Sequence, residues 1–167
     1  MDRIEEIIDK LKLLPHPEGG FFRETYRSQG SIPETVLGDS YSGGRNYATG
    51  IYFLITSGNF SAFHRIHQDE MWHYYKGAAM NLHMISPDGT YSLKKLGNDL
   101  ASGEIPQYTV SGGYWFASEV SIDNSFSLMG CTVAPGFDFD DFEMPSRSEL
   151  IGWFPQHSTI INQLTRS

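Results

Sequence analysis

The stretch that decides the fold of this chain is residues 58–77, which read GNFSAFHRIHQDEMWHYYKG. It places three of the protein's six histidines and one glutamate between two glycines, in a segment rich in aromatic residues. Aromatic and β-branched residues favour extended structure, and glycines commonly bound it. We predict two strands, 60–66 and 70–76, joined by a tight turn at Gln68-Asp69.

Strand geometry fixes which of these side chains face the same way. Alternate residues of a strand share a face, so His64 faces with Ile66, and Glu70 faces with Trp72 and Tyr74. One face therefore carries an imidazole, a carboxylate and two large aromatic rings. Polar groups among aromatic rings need a partner such as a ligand, a metal or water. This face is predicted to line a ligand pocket.

The spacing of this stretch resembles the first motif of the cupin superfamily. Gly58, His64, Glu70 and Gly77 occupy four places of that motif. The motif carries a second histidine two residues after the first, where this chain has Ile66. The resemblance implies a mainly all-β fold, a double-stranded β-helix or jelly-roll barrel of cupin type.

The second cupin motif, which supplies a further histidine after a Pro-x-Gly turn, is matched less closely. Its best counterpart has Ser111 at the proline place and Phe116 at the histidine place. Two of the four ligand places of a metal-binding cupin therefore hold other residues, Ile66 and Phe116. We expect no metal cofactor. The alternative is a bound divalent metal, whose ligands would be His64, Glu70 and His67.

A second stretch, LPHPEGGFFRETYR at residues 14–27, leads into a strand on which Phe22, Glu24 and Tyr26 share one face. Its GFFRE portion resembles the first strand of the dTDP-keto-sugar epimerases, themselves cupins, in which a glutamate approaches the sugar nucleotide. The resemblance implies such a contact for Glu24. The whole stretch, with further matches as far as residues 132–137, is similar to a cupin family of unknown function, the cupin-5 type, over nearly the whole chain.

Composition limits the class of protein. A chain of 167 residues with 40% hydrophobic and 19% charged residues is typical of one folded domain. A net charge of -8, with no basic run longer than Lys94-Lys95, argues against nucleic-acid binding. The charged amino end and the lack of a membrane-length apolar run predict a cytoplasmic protein without membrane contact. The single cysteine, Cys131, excludes an internal disulfide.

We predict a single cupin domain over residues 1–167, with an N-terminal helix at 1–14, a barrel of about nine strands at 20–134 and C-terminal helices at 146–165. The apolar stripe of the first helix must pack on the barrel or on a second subunit. That requirement and the exposed strand edges predict a homodimer. Residues 137–143, FDFDDFE, alternate aromatic and acidic side chains, which favours an edge strand or loop with a solvated acidic side.

Three functional hypotheses follow from the predicted pocket. In the first, His64 is a general acid or base whose protonation is set by Glu70 or Glu24, as in an epimerase or isomerase. In the second, the protein is a metal-dependent cupin enzyme of the oxygenase or isomerase type. In the third, it binds a small molecule without catalysis, because this barrel hosts enzymes and binding proteins alike.

In each case the expected ligand is a small polar molecule, sugar-like or anionic, bound inside the barrel. Guanidinium groups bind carboxylate or phosphate in a bidentate manner, so Arg23 and Arg45 are candidate anion clamps. His64 and Glu70 are the candidate catalytic residues. The candidate ligand-binding residues are Arg23, Glu24, Tyr26, Tyr52, Trp72, Tyr74 and Phe116.

Overall fold

The computed structural model, which describes residues 4–166, is built from antiparallel strands with helices at both ends of the chain. The strands are β1 (Leu14–Pro15), β2 (Phe21–Arg27), β3 (Ser31–Ile32), β4 (Arg45–Asn46), β5 (Thr49–Thr56), β6 (Phe60–His64), β7 (Asp69–Gly77), β8 (Met80–Ile85), β9 (Tyr91–Leu96), β10 (Gln107–Val110), β11 (Trp115–Val120) and β12 (Phe126–Ala134). The helices are α1 (Ile4–Leu11), α2 (Glu34–Leu37), α3 (Arg147–Trp153) and α4 (Ser158–Gln163).

Two sheets form the barrel. One has the strand order β1-β2-β5-β12-β7-β10, and the other has the order β6-β11-β8-β9. Strands β3 and β4 form a separate pair. The non-consecutive order within both sheets is typical of a jelly-roll barrel, because the chain crosses repeatedly from one sheet to the other. The predicted all-β cupin-type fold is confirmed.

The core lies between the two sheets. Phe53, Trp72 and Met129 come from the six-stranded sheet, and Leu82 and Phe116 come from the four-stranded sheet. All five are at most 1% exposed. Successive side chains of a strand point to opposite faces of the sheet, and these residues lie at the positions that point inward. Their neighbours along each strand point to the outside of the barrel.

Helix α1 covers part of the outer face of the six-stranded sheet. Its Ile7 packs into a buried cluster with Leu13 and Leu54, beside Phe21 and Tyr52. Residues 1–3 of the predicted helix lie outside the described residues. The barrel of the same chain therefore covers the apolar stripe of α1. The homodimer stays a prediction that rests on the open strand edges alone.

The C-terminal helices cover the outer face of the four-stranded sheet. Ser146 is the N-cap of α3 and forms a capping box with Glu149. Leu150 of α3 and Ile161 of α4 are fully buried against a cluster that includes Trp115. Across residues 4–166 the helices are too short and too polar to pass through a membrane.

The segment between β12 and α3 differs from its prediction. Within the acidic run, Asp141 is 1% exposed and accepts two hydrogen bonds from the Arg45 guanidinium, at 2.7 and 2.6 Å. The Gln68 amide donates a third at 2.7 Å. The prediction of a solvated acidic side is therefore wrong for Asp141. Arg45 is also not an anion clamp for a ligand, because its charge is already paired inside the protein.

Replacing Asp141 with Asn should destabilise the protein by about 3 kcal/mol, because it leaves the buried Arg45 cation without a carboxylate. Urea unfolding would measure this loss. The matched control is Glu143→Gln, which breaks the ion pair with Arg65. Those two side chains are 44% and 36% exposed, so the control should cost less than about 1 kcal/mol. Equal losses in the two variants would contradict the structural role of the Arg45–Asp141 pair.

Candidate functional site

A cavity of about 240 Å³ opens into one end of the barrel. Its walls are mainly apolar, and its polar groups are concentrated among a few side chains from β2, β6, β7 and the turn before β2. Such a composition is typical of small-molecule sites, where apolar walls enclose a ligand and a few polar groups orient it. The aromatic lining residues are Phe22, Phe53, Trp72, Phe137, Phe139 and Phe142.

The tight hairpin between β1 and β2 brings Glu18 over this cavity. Its turn requires glycine, because Gly19 and Gly20 have φ angles of 113° and 75°. A Cβ at Gly19 would also lie 2.1 Å from the Phe60 carbonyl oxygen. The Glu18 carbonyl accepts a hydrogen bond from the Ala62 amide at 2.8 Å, which fastens the hairpin to β6. Glu18 is 5% exposed as a result.

Glu18 and His64 form a buried ion pair in the lining of the cavity. His64 Nε2 lies 3.0 Å from Glu18 Oε2, and His64 Nδ1 donates to the Ala62 carbonyl at 2.7 Å. A carbonyl oxygen can only accept, so Nδ1 carries a proton, and Nε2 faces the Glu18 carboxyl group. This geometry fits an imidazolium bound to a carboxylate.

Electrostatics favour this charged state in both partners. Burial alone would lower the pKa of His64, but the Glu18 charge and hydrogen bond outweigh it and raise that pKa above its ordinary value. Burial alone would raise the pKa of Glu18, but the charges and hydrogen bonds of its neighbours, chiefly those of His64, lower it. Both shifts favour the pair of an ionised Glu18 and a protonated His64.

His16 supports Glu18 from the other side. The Glu18 backbone N–H donates to His16 Nδ1 at 3.2 Å, so Nδ1 is unprotonated and the ring proton is on Nε2. Burial lowers the pKa of His16, which keeps the ring neutral. The ring packs edge-on against Phe22, with centroids 4.6 Å apart. His16 thus holds the turn in place without adding a charge.

Glu70 is a further carboxyl group of the cavity, and its pKa is shifted in the direction opposite to that of Glu18. It is 8% exposed, and its hydrogen-bond partner is the buried thiol of Cys131. Burial raises the pKa of Glu70 to about 7; the His64 charge opposes this shift and the Glu18 charge adds to it. Burial and Glu70 together raise the pKa of the Cys131 thiol well above its usual range. Two buried glutamates of the cavity, Glu18 and Glu70, therefore have pKa values that are shifted in opposite directions.

On β2, the cavity-lining residues differ from those that strict alternation predicts. Phe22 and Glu24 line the cavity, but the next lining residue is Arg27, whereas Tyr26 is 56% exposed. The pairing of β2 with β5 shifts register between Glu24 and Tyr26, and such a bulge exchanges the faces of the residues that follow it. Arg23 lies outside the cavity, where its Nη1 donates to the Leu11 carbonyl at 3.2 Å.

The other predicted ligand contacts are divided between the two faces of the sheets. Trp72 lines the cavity. Phe116 does not line it but packs against His64, which does, and the two ring centroids are 4.1 Å apart. Tyr52 faces outward, where its ring packs edge-on against Tyr75 at 6.2 Å. Tyr74 does not line the cavity either, and its hydroxyl donates to the Gly77 carbonyl.

The alternative metal ligands are not brought together. His64 and Glu70 both line the cavity, but His67 lies in the turn between β6 and β7, where its ring packs edge-on against Tyr41 at 5.6 Å. His73 faces away from Glu70 and contacts the Thr132 hydroxyl at 2.9 Å. Residues 4–166 contain no group of three or more His, Cys, Asp and Glu side chains arranged to hold a metal ion.

Sequence reasoning missed His16 and Glu18. Both lie in the LPHPEGG stretch, which carries the resemblance to the cupin-5 type family. Neither residue was predicted to belong to the site. The available signal was an imidazole and a carboxylate placed between two prolines and two glycines. A turn of that kind is rigid and can hold side chains in a fixed position.

Comparisons with known proteins agree with the fold. The sequence profile of the family described as Cupin_5, Cupin superfamily (DUF985), matches residues 5–145. Protein SO0799 from Shewanella oneidensis is 41% identical, with a TM-score of 0.90 over 99% of each chain. A hypothetical protein from Leishmania major is 35% identical, with a TM-score of 0.91 over 99% of this chain and 100% of that one. The Saccharomyces cerevisiae protein YML079W is 32% identical over 148 residues, which cover 83% of this chain and 73% of that protein.

The raised pKa of Glu70 predicts a stability difference that depends on pH. The folded state keeps the Glu70 proton up to about pH 7, whereas the unfolded chain releases it near pH 4.5. The free energy of unfolding should therefore fall as the pH rises between these values, by an amount of the order of 3 kcal/mol from this group. Glu70→Gln should remove this part of the fall, and urea unfolding at several pH values would measure it. The same pH dependence in the variant and the wild type would contradict the assignment.

Proposed function

Because this chain belongs to the Cupin_5 family of the cupin superfamily, we propose that it binds a small molecule inside its barrel and catalyses proton transfer on it. The observation that supports this function is the presence in one cavity of two buried glutamates whose pKa values are shifted in opposite directions. Environments that separate the pKa values of two carboxyl groups are typical of enzymes that need an acid and a base at the same pH. An isomerase or epimerase reaction fits this pair best.

Glu18 is the general base of the proposed reaction, and Glu70 is the general acid. Glu18 removes a proton from a carbon next to a carbonyl group, and the C–H electron pair moves toward the carbonyl oxygen. Glu70 donates its proton to that oxygen, which gives a neutral enol. Glu70 then takes back the enol O–H proton, and the proton held by Glu18 returns to a different carbon of the conjugated enol, which regenerates a carbonyl and both glutamate states. The net change is an isomerisation.

His64 positions the base in this proposal. The sequence suggested His64 itself as the acid or base, but both of its ring nitrogens are engaged, with Glu18 and with the Ala62 carbonyl. Its positive charge keeps Glu18 ionised within an otherwise apolar site. The proposed reaction is still epimerase-like, but its base is the Glu18 carboxylate and not the His64 imidazole.

Exchange of substrate protons with solvent deuterium tests the reaction type. Wild-type protein in D₂O should catalyse deuterium incorporation next to the carbonyl of at least one member of a panel of small ketones and aldoses, followed by proton NMR. Glu18→Gln and Glu70→Gln should each slow the exchange by about a hundred- to ten-thousand-fold, since each removes one proton-transfer group. Glu143→Gln on the outer surface is the control. Undiminished exchange in Glu18→Gln would refute the assigned base.

A His64→Gln variant tests the positioning role through its pH profile. Without the imidazolium, the pKa of Glu18 should rise, because burial then acts on that carboxyl without the opposing charge. Glu18 must be ionised to accept a proton, so the acidic limb of the rate profile should move to higher pH. A lower rate with an unmoved acidic limb would show that His64 does not act through the ionisation of Glu18.

A further inference from the structure

Every cation that lines the cavity is already paired. The Arg27 guanidinium makes two hydrogen bonds to the Glu24 carboxylate, at 2.9 and 2.8 Å, and its remaining donor nitrogen binds the Asn46 side chain at 2.8 Å. His64 is paired with Glu18. Among residues 4–166, the cavity lining therefore offers no positive group that lacks a carboxylate partner.

A bound anion would meet further negative charge in place of a counterion. Glu24 and Asp138 also line the cavity, and both carry carboxyl groups. An unpaired charge is costly to move from water into an apolar site. The two arginines that could have served an anion are committed elsewhere, since Arg23 lies outside the cavity and Arg45 binds Asp141. The site thus disfavours carboxylates and phosphates.

The groups that remain for a ligand are hydrogen-bond donors. Glu70 presents a carboxyl proton when neutral, and His16 carries its proton on Nε2, which has no acceptor among residues 4–166. Both residues line the cavity. Two neutral donors can both hydrogen-bond to one carbonyl oxygen of a ligand. The aromatic walls can pack against the apolar part of a compact ligand. The volume of about 240 Å³ is below the range of roughly 300–1,000 Å³ typical of drug-sized ligands.

From the paired cations, the free donors and the aromatic walls, we infer that the ligand is a compact uncharged carbonyl compound. This inference rests on the proposed proton transfer and names the substrate class for it. It also separates this chain from the dTDP-keto-sugar epimerases that its β2 stretch resembles, because their sugar nucleotides carry a charged diphosphate. The Glu24–Arg27 pair is the element that would set this selectivity against anions.

Three probes with the same ring test the charge of the ligand: cyclohexanone, cyclohexanecarboxylate and cyclohexylammonium. Binding to the wild-type protein is followed by chemical-shift titration at pH 6 and pH 7. The ketone should bind, and the carboxylate should bind at least about tenfold more weakly, because it would be buried without a counterion. Equal or tighter binding of either charged probe would overturn the inference, and so would the failure of all three to bind at millimolar concentrations.

The variant Glu24→Gln tests the same inference by comparing how the affinities of two probes change relative to the wild-type protein. It frees the Arg27 guanidinium from its carboxylate while keeping the side-chain size. Affinity for cyclohexanecarboxylate should then rise about tenfold relative to the affinity for cyclohexanone. The matched control is Glu143→Gln, which frees Arg65 on the outer surface and should change neither affinity. Unchanged carboxylate binding in Glu24→Gln would overturn the role of this pair.

The probes also separate this inference from the proposed catalysis. Cyclohexanone that binds in the cavity but gains no deuterium beside its carbonyl in D₂O would leave the ligand class standing and refute the proton transfer. Deuterium exchange on carboxylate-bearing or phosphate-bearing ketones in preference to cyclohexanone would support the proton transfer and refute the ligand class.

Discussion

The ion pair between His64 and Glu18 is the interaction on which the rest of the site depends. It joins the turn between β1 and β2 to the end of β6, and the hydrogen bond from the Ala62 amide to the Glu18 carbonyl reinforces the same connection. Burying two charges is unfavourable unless they are closely paired and hydrogen-bonded. Here the second ring nitrogen of His64 binds the Ala62 carbonyl, and His16 accepts the Glu18 backbone amide. These bonds satisfy most of the polar atoms and leave the pair facing the cavity.

The same pair explains why two chemically identical side chains behave differently. Glu18 has a cation at 3.0 Å, and Glu70 has a thiol and apolar walls. The positions that a metal-binding cupin would fill with histidines are here occupied by Ile66 and Phe116, which are 2% and 1% exposed. Ile66 lines the same cavity as Glu70, and Phe116 packs directly on the His64 ring.

The sequence predicted the barrel because strand alternation and turn residues act locally. His64, Glu70, Trp72 and Glu24 were placed on cavity-facing positions by the same local rule. Alternation gave the wrong face for the residues of β2 after Glu24, because the pairing of β2 with β5 shifts register there. The shift depends on the neighbouring strand and cannot be recognised from the residue types of β2. Asp141 is likewise buried by its distant partner Arg45, whereas the acids around it stay at the surface. The sequence did not predict Glu18 as a site residue, because its partner His64 lies on β6, far along the chain.

The most direct test is a titration of carboxyl carbons by NMR in protein labelled with ¹³C at the glutamate carboxyl groups, with Glu18→Gln and Glu70→Gln used to assign the two signals. The account predicts that Glu18 titrates below the ordinary value of 4.5 and that Glu70 titrates near pH 7. It also predicts that His64→Gln moves the Glu18 signal to higher pH. Two signals that both titrate near pH 4.5 would contradict the separation of the two glutamates and the acid and base roles derived from it.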